Sequence, residues 1–522
     1  LYEPLRQLVI PYGFTENGFN LTKSPIRALR YPSESPTQAQ FVIDYVLQRC
    51  FSSLSQWSGE RRVASDAVLL LISLMDCTPR AEHVGRSSHL LPCIGRIDMQ
   101  SIHATTRRQL MRALVQIGAS ADDQQLQQTL FDQCLSPLSA RFQQLVCHTD
   151  AHVSTNESHI VDCVDCFTGV AAAMQLFGAN VLYEYLIPLV ELCPPLLSRY
   201  AGSQPVVDGI LSLFVEITKR LAVLMDSEDT DCQRLYECLM HLLRVYADNQ
   251  LVKYTGPQVD EDKASDLQLM LLILGNILSR DLLVSISQFR EDTATQVISA
   301  GTVSLSGLEM IMPLMTAELL QFPVLCKKFY SLLLYMAEMY PDKLLAMRPD
   351  VITAFLRCAQ LGLESRYGKE VLRTSLELIG VLATFLCQNA DPACDQLKND
   401  MGIFIKPVFI AALETSCEVS IFQEAVHALY ALICCNLIAY NTMVVEIVQS
   451  HGSGLSPDQP VPERASKLQA AFTQLLPATG DQGNGTMVNC TRVEKRAFRE
   501  RFDVFLNDIS GLLCLQLMQL SS

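Results

Sequence analysis

The chain has 522 residues, with 40 Lys+Arg against 55 Asp+Glu for a net charge of −15, and it is 49% hydrophobic but only 18% charged. So large an apolar share excludes a disordered chain, and the acidic balance repels nucleic acid and anionic membrane while drawing basic partners at long range. The length fits several ordinary domains or one long repeat array.

The sequence begins at Leu1 with no basic-then-apolar leader and reads as a piece of a longer protein. Residues 1–40 form a lead-in segment and linker, rich in Pro, Gly, Ser and Thr over 11–37. From 41 to 476 a helical period dominates. Ala64, Ala67, Val68, Leu71, Ile72 and Met75 make one apolar stripe, and Leu235, Leu239, Leu242, Leu243 and Tyr246 make a thinner one. Cys326, Phe329, Tyr330, Leu333, Leu334 and Ala337 repeat the spacing. Period-2 runs are missing, so the predicted fold class is all-α.

Prolines punctuate the stripes at Pro79, Pro137, Pro194–Pro195, Pro205, Pro257, Pro323, Pro341, Pro349, Pro392 and Pro407, all placed at or near helix junctions. The count suggests about nine to ten antiparallel helix pairs of roughly 40–47 residues, the size of HEAT or armadillo units in an α-α superhelix. Residues 250–263, with Gly256 and Pro257, are predicted to be an exposed inter-helix loop. Residues 477–491 form a flexible loop, and 492–522 supply a capping helix and tail. That helix opens with Arg492, Lys495, Arg496, Arg499 and Arg501, and its stripe is Phe498, Phe502, Phe505, Leu506 and Ile509. A repeat stack needs such a cap, because its last apolar face has no neighbour.

Several chemistries are disfavoured by pattern. Many of the nineteen cysteines, Cys50, Cys77, Cys238, Cys326, Cys358, Cys417, Cys434 and Cys514 among them, lie in apolar helical runs where a free thiol acts as a small hydrophobe. That pattern points to a reducing compartment rather than a disulfide scaffold. The uncharged run Ala425–Val445 could span a bilayer by length, at roughly 20 residues per crossing, but Asn436–Asn441 reads as a break between two buried helices. The cluster Cys147, His148, His152, His159, Cys163 and Cys166 has the residue types of a zinc site, yet Cys163 and Cys166 fall on an apolar stripe and no second Cys-x-x-Cys accompanies them. Neither a nucleophile elbow nor a phosphate loop is present, so no enzyme, metal or cofactor is expected. His241 and His427 are assigned to helices as partly buried structural residues.

Acidic residues carry more. Asp226, Glu228, Asp229 and Asp231 lie between two helices, and Asp260, Glu261, Asp262 and Asp266 lie one helix pair farther on. As turns on one edge of a repeat stack they would form a negative strip able to steer a basic protein; as ordinary solvated turns they would do nothing. Glu216 and Glu237, inside helices, could instead face a groove, where low dielectric focuses their charge onto a cation.

A collinear series of local patterns carries a resemblance: FVIDYVLQRCFSSLSQWSGE (41–60), RRQLMRALV (107–115), LFVEITKR (213–220), LYECLMHLLRVYADNQL (235–251), LQLMLLILGNILSRDLL (267–283), IMPLMTAELLQFPVLCKKFY (311–330) and NDISGLLCLQ (507–516). Together they resemble the C-terminal half of the exportin-4 family of karyopherin-β receptors, in the importin-β superfamily. The resemblance implies a HEAT superhelix that binds protein cargo with GTP-loaded Ran, shuttles between nucleus and cytoplasm, and releases cargo when Ran hydrolyses its GTP. Implied cargoes are hypusine-modified translation initiation factor 5A, Smad-type proteins and, for import, Sox-type factors; nucleoporin Phe-Gly repeats are further implied partners. The receptor is expected to be monomeric, with GTP carried by Ran. Glu216, Glu237 and Asp281 match acidic positions of the family helices and join Asp226, Glu228, Asp229, Asp260, Glu261 and Asp262 as candidates for contact with cargo or Ran. Residues 477–490 and the tail after Cys514 depart from the family and inherit nothing. The alternative function is a static HEAT scaffold for a multiprotein complex, indifferent to the nucleotide on Ran.

Overall fold

The computed structural model describes residues 32–34, 36–75, 78–94, 97–121, 123–147, 153–174, 180–224, 230–253, 257–287, 298–389, 391, 394–452, 461–476 and 490–509. Every regular element among them is helical, as the periodicity predicts. The chain divides into two compact units, Leu1–Met310 and Ile311–Ser522.

The first unit contains α1 (Pro36–Gln56), α2 (Arg61–Met75), α3 (Thr78–Gly85), α4 (Leu90–Ile94), α5 (Ala104–Ala119), α6 (Gln124–Cys147) and α7 (Val153–Ala173). It continues through α8 (Asn180–Val190), α9 (Cys193–Arg199), α10 (Gln204–Leu224), α11 (Thr230–Lys253) and α12 (Pro257–Ser287) to α13 (Ala300–Ile311). Two layers result. In one, α2, α5, α7, α10 and α12 stack side by side, each on its successor. In the other, α1, the short pair α3 and α4, α6, the pair α8 and α9, and α11 follow one another. Each helix of the second layer pairs with the next helix of the first, which is the solenoid pattern of HEAT-type repeats. The stripe on α2 explains why it stacks: Ala64, Ala67, Val68 and Leu71 are all at most 1% exposed, so small and branched side chains seal one face. That face is worth roughly 1.5–3 kcal/mol for each large side chain it buries.

The stacked helices run parallel, as helices separated by a whole repeat must. Gln204 at the start of α10 bonds to Asp266 near the start of α12, whereas Val215 and Thr218 farther along α10 receive Asn276 from farther along α12. Gly169 lets α7 approach α5, because a Cβ there would run into the Arg108 carbonyl and lie 2.9 Å from the Met111 Cβ.

The second unit contains α14 (Pro323–Met339), α15 (Pro341–Leu345), α16 (Pro349–Leu361), α17 (Lys369–Gln388), α18 (Asp395–Asp400), α19 (Ile405–Glu414), α20 (Val419–Cys435), α21 (Leu437–Gly452), α22 (Val461–Leu475) and α23 (Arg492–Ile509). Here α14, α17 and α20 form the parallel row, pinned at their starts by ion pairs Lys327–Glu370 at 2.8 Å and Lys369–Glu418 at 2.6 Å. Gly368, at φ 93°, is the turn that launches α17, in the left-handed region where a Cβ would strain.

The last helix breaks the pattern. Phe498 stacks on Tyr430 at 5.0 Å and Phe502 on Phe422 at 6.0 Å, so α23 runs antiparallel to α20 rather than extending the row. Thr491 and Glu494 form a capping box at its start: the Glu494 N–H donates to Thr491 Oγ1 at 3.3 Å and the Thr491 N–H to Glu494 Oε2 at 3.4 Å. Its stripe joins Phe409 and Phe472 in an aromatic cluster with Phe472–Phe505 centroids 4.9 Å apart.

Three expectations need correction. The expected loop over 250–263 is mostly helix: α11 reaches Lys253 and α12 begins at Pro257, so Asp260, Glu261 and Asp262 are helical, and 254–256 lie outside the described residues. Proline presets the φ of a first helical residue, and acidic side chains complement the N-terminal dipole, so Pro-Gln-Val-Asp-Glu-Asp is a helix start. Pro137 lies inside α6 instead of at a junction. Its Leu- and Gln-rich flanks carry the helix through on both sides. His241 is exposed, not half-buried.

No single described helix is long and apolar enough to cross a membrane; α20 and α21 pass the length test only as a pair bent by 114°. The bend is at Asn436, whose Oδ1 accepts from the Ala439 N–H at 2.9 Å and so starts the second helix.

Candidate functional site

The acidic candidates distribute over both layers of the first unit. Glu216 is half-buried on α10, in the stacked row, whereas Glu237 is exposed on α11, in the facing layer. The structure therefore does not bring these two onto adjacent stacked helices. Glu261 is exposed and Asp262 half-exposed in the opening turns of α12. Asp260 and Asp281 occupy α12, but their side chains lie outside the described residues, as do Asp226, Glu228 and Asp229 altogether. Asp231 ties down locally: Arg234 pairs with it at 3.3 Å and with Glu191 at 2.8 Å, bridging α11 to the end of α8. This partial neutralisation removes Asp231 from an open strip.

Where the charge does concentrate is between α10 and α12. Asp266 is fully buried, at 0% exposure. It accepts a hydrogen bond from Gln204 Nε2 at 2.8 Å and another from the Tyr246 hydroxyl at 3.1 Å. Gln204 Nε2 also reaches Asp208 Oδ1 at 3.2 Å. Burial first, then the neighbouring Asp208 carboxylate, push the Asp266 acid up to about 7, while the Gln204 and Tyr246 bonds pull the other way. Asp266 is thus largely protonated below neutral pH. Half-exposed Asp208 stands beside it on α10, and Asp262 lies one turn before Asp266 on α12. A basic group reaching this end of α10 and α12 would find Asp208, Glu261 and Asp262 on adjacent helices. Sequence had placed Asp266 among solvated turns; the apolar positions Ala264, Leu267 and Met270 around it were the signal of burial.

Two joints earlier in the row, between α5 and α7, the same level is built with cations. Arg107, 5% exposed, donates from Nη1 to Asp162 at 2.5 Å and to Asp165 at 3.3 Å, and from Nε and Nη2 to the Met99 and Ile102 carbonyls. Arg108 donates to Asp165 at 2.7 Å through Nε. Asp165 is 1% exposed, so the pair of arginines holds a carboxylate that has no solvent.

The residues of the zinc-like cluster go elsewhere. Cys163 and Cys166 are core residues of α7, with burial pushing the Cys163 thiol up to about 11. Cys147 is exposed at the end of α6, and His148 and His152 lie outside the described residues. His427, on α20, is held below the ordinary imidazole range by burial and by Lys495 and Arg499.

A surface feature of α1 escaped sequence reasoning. Phe41 is 75% exposed and Tyr45 63%, one turn apart and off the buried stripe of Ile43, Val46, Leu47 and Cys50. Their spacing against that stripe was the available signal.

A sequence model described as Exportin-4 matches residues 9–459. Among solved structures, the karyopherin Kap121p aligns at 12% identity over 98% of this chain and 55% of its own, with a TM-score of 0.23. Kap121p bound to the SUMO protease Ulp1p aligns at 11% identity over 99% of this chain and 56% of its own, with a TM-score of 0.24. The chain spans about half the length of those karyopherin chains.

Proposed function

Because the chain belongs to the exportin-4 family, we propose that it is a segment of a nuclear export receptor that binds a basic protein cargo cooperatively with GTP-loaded Ran. The observation that carries the reading is the family match across most of the chain. The chemistry of the first unit supports it. Ran and hypusine-modified initiation factor 5A both offer cationic surfaces, and Asp208, Glu261 and Asp262 offer a carboxylate edge to which, among the described residues, no arginine is clamped as at the α5–α7 joint. Smad-type cargo would use the same attraction, and nucleoporin Phe-Gly repeats would carry the complex between nucleus and cytoplasm.

Two ligands on one receptor are coupled by a free energy, typically ~1–3 kcal/mol, and each tightens the other by the same factor. The test is to titrate the full-length receptor with initiation factor 5A beside GTP-loaded and then GDP-loaded Ran. Tightening of tenfold or more with the GTP form alone is expected. Equal affinity in both states would make the chain a static scaffold, and weakening with the GTP form would make it an importer. Within the export reading, Glu237→Lys reverses an exposed charge on α11 and is expected to weaken cargo several-fold, with steep salt dependence. Unchanged affinity would remove Glu237 from the contact surface.

A further inference from the structure

Four cysteines that the transport reading leaves unused converge where α17 meets α20. The Sγ atoms of Cys387 on α17 and Cys435 on α20 are 3.1 Å apart. The contact is reciprocal: Cys387 Sγ reaches the Ala431 carbonyl at 3.4 Å, and Cys435 Sγ reaches the Ala383 carbonyl at 3.1 Å. Each thiol therefore meets the backbone one helical turn before the other, a register that brings both side chains to the same point between parallel helices. Cys434 and Cys490 lie close enough to Cys387 to act on its ionisation. Cys490 stands beside the Thr491 cap of α23, 3.9 Å from Thr384 Oγ1 on α17.

The cluster is reachable and asymmetric. Cys387, Cys434 and Cys435 are half-buried rather than sealed, unlike Cys163, Cys193 or Cys326. Interactions with Cys434, Cys435 and Cys490, with Lys398 nearby, hold the Cys387 pKa below the ordinary thiol range. The same contacts and burial push Cys434 and Cys435 up. Of the touching pair, Cys387 is the thiol more readily deprotonated and is assigned as the nucleophile. Among the described residues no group of His, Cys, Asp and Glu has the arrangement of a metal site.

We propose that Cys387 and Cys435 are a hydroperoxide-responsive thiol pair that closes into a disulfide stapling α17 to α20. The Cys387 thiolate attacks one peroxide oxygen and the O–O bond breaks. The departing hydroxide takes a proton to become water, and Cys387 is left as a sulfenic acid. Cys435 gives up its proton and attacks that sulfur; the S–S bond forms, the S–O bond breaks, and a second water leaves. Two thiols and one hydrogen peroxide become one disulfide and two waters, the sulfurs oxidised and the peroxide reduced. A thiol such as glutathione reverses the bridge by exchange. In a repeat stack each helix contacts only its neighbours, so a covalent link between two of them removes their freedom to slide while the rest of the stack keeps its own.

The full chain, reduced and then given one equivalent of hydrogen peroxide, is alkylated and its intact mass and cross-linked peptides are read. Loss of two hydrogens, reversed by dithiothreitol, with Cys387 paired to Cys435, is the expected result. Cys435→Ser should abolish the bridge and leave a Cys387 sulfenic acid that dimedone traps, whereas Cys434→Ser should keep the bridge. A bridge that survives Cys435→Ser, pairing of Cys387 with Cys434 or Cys490, or no bridge at all would overturn the proposal. So would stoichiometric zinc carried by the purified protein and lost in Cys387→Ser.

Discussion

The joint between α5 and α7 and the joint between α10 and α12 occupy the same level of one helical row, yet they are built from opposite chemistry. In the first, two arginines clamp Asp162 and Asp165 and satisfy the surrounding carbonyls. In the second, the buried Asp266 accepts from the neutral donors Gln204 and Tyr246 with the Asp208 carboxylate beside it. A clamp of charge pairs fixes geometry and is costly to breach. A buried acid held by neutral donors titrates near neutral pH and so responds to pH instead. One row therefore holds a charge-clamped joint and a pH-responsive one without any change of fold.

Three substitutions probe that contrast. Arg107→Ala takes the arginine from Asp162, leaves the buried Asp165 with Arg108 alone and frees the Met99 and Ile102 carbonyls, so the α5–α7 joint should lose roughly 3 kcal/mol. Hydrogen exchange along α5 and α7 should rise well above that along α10 and α12; equal protection in both joints would dissolve the distinction. Gly169→Ala forces α7 away from the Arg108 backbone and should cost about 1–3 kcal/mol, read as a lower urea midpoint with the slope unchanged.

Asp266→Asn tests the responsive joint, with an effect whose size depends on pH. Asp266 has a folded-state pKa raised to about 7, so the stability it contributes is fully present below the ordinary carboxylate range and is lost as pH rises through about 7. Asparagine mimics the protonated acid at every pH. The variant should match the parent at about pH 3, pull ahead from about pH 4 upward and exceed it at about pH 8 by at least roughly 1–2 kcal/mol. A stability difference between variant and parent that stays constant over that pH range would show that Asp266 is not held as the neutral acid.

Local periodicity made the layers legible, because the stripes on α2, α11, α14 and α23 record which face each helix buries. The partners were less legible. Arg107 and Arg108 read as ordinary basic residues at the start of a stripe, since their carboxylates lie 55 and 57 positions away. The antiparallel turn of α23 was equally hidden: its stripe states what it buries, not which direction it runs. Proline misled in both senses, marking the start of α12 where a loop was expected and suggesting a junction at Pro137 where α6 runs straight through. The acidic candidates suffered most, because a carboxylate looks the same in sequence whether it faces solvent, as Glu237 does, or has none, as Asp266.

The reversal of the last helix also bears on the order in which the chain can assemble as it is synthesised. Most pairs close with segments already made or soon to follow, so each can form as it emerges. The seal on the second unit cannot. Lys495 of α23 donates to Thr384 across 111 positions, and Arg499 reaches Gln423 across 76. Phe409 and Phe422 must therefore wait until Phe502 and Phe505 are made before these rings cover them, and contacts of such separation form slowly. During that interval the unit presents a row of uncovered aromatics, the state in which a nascent chain most needs a chaperone.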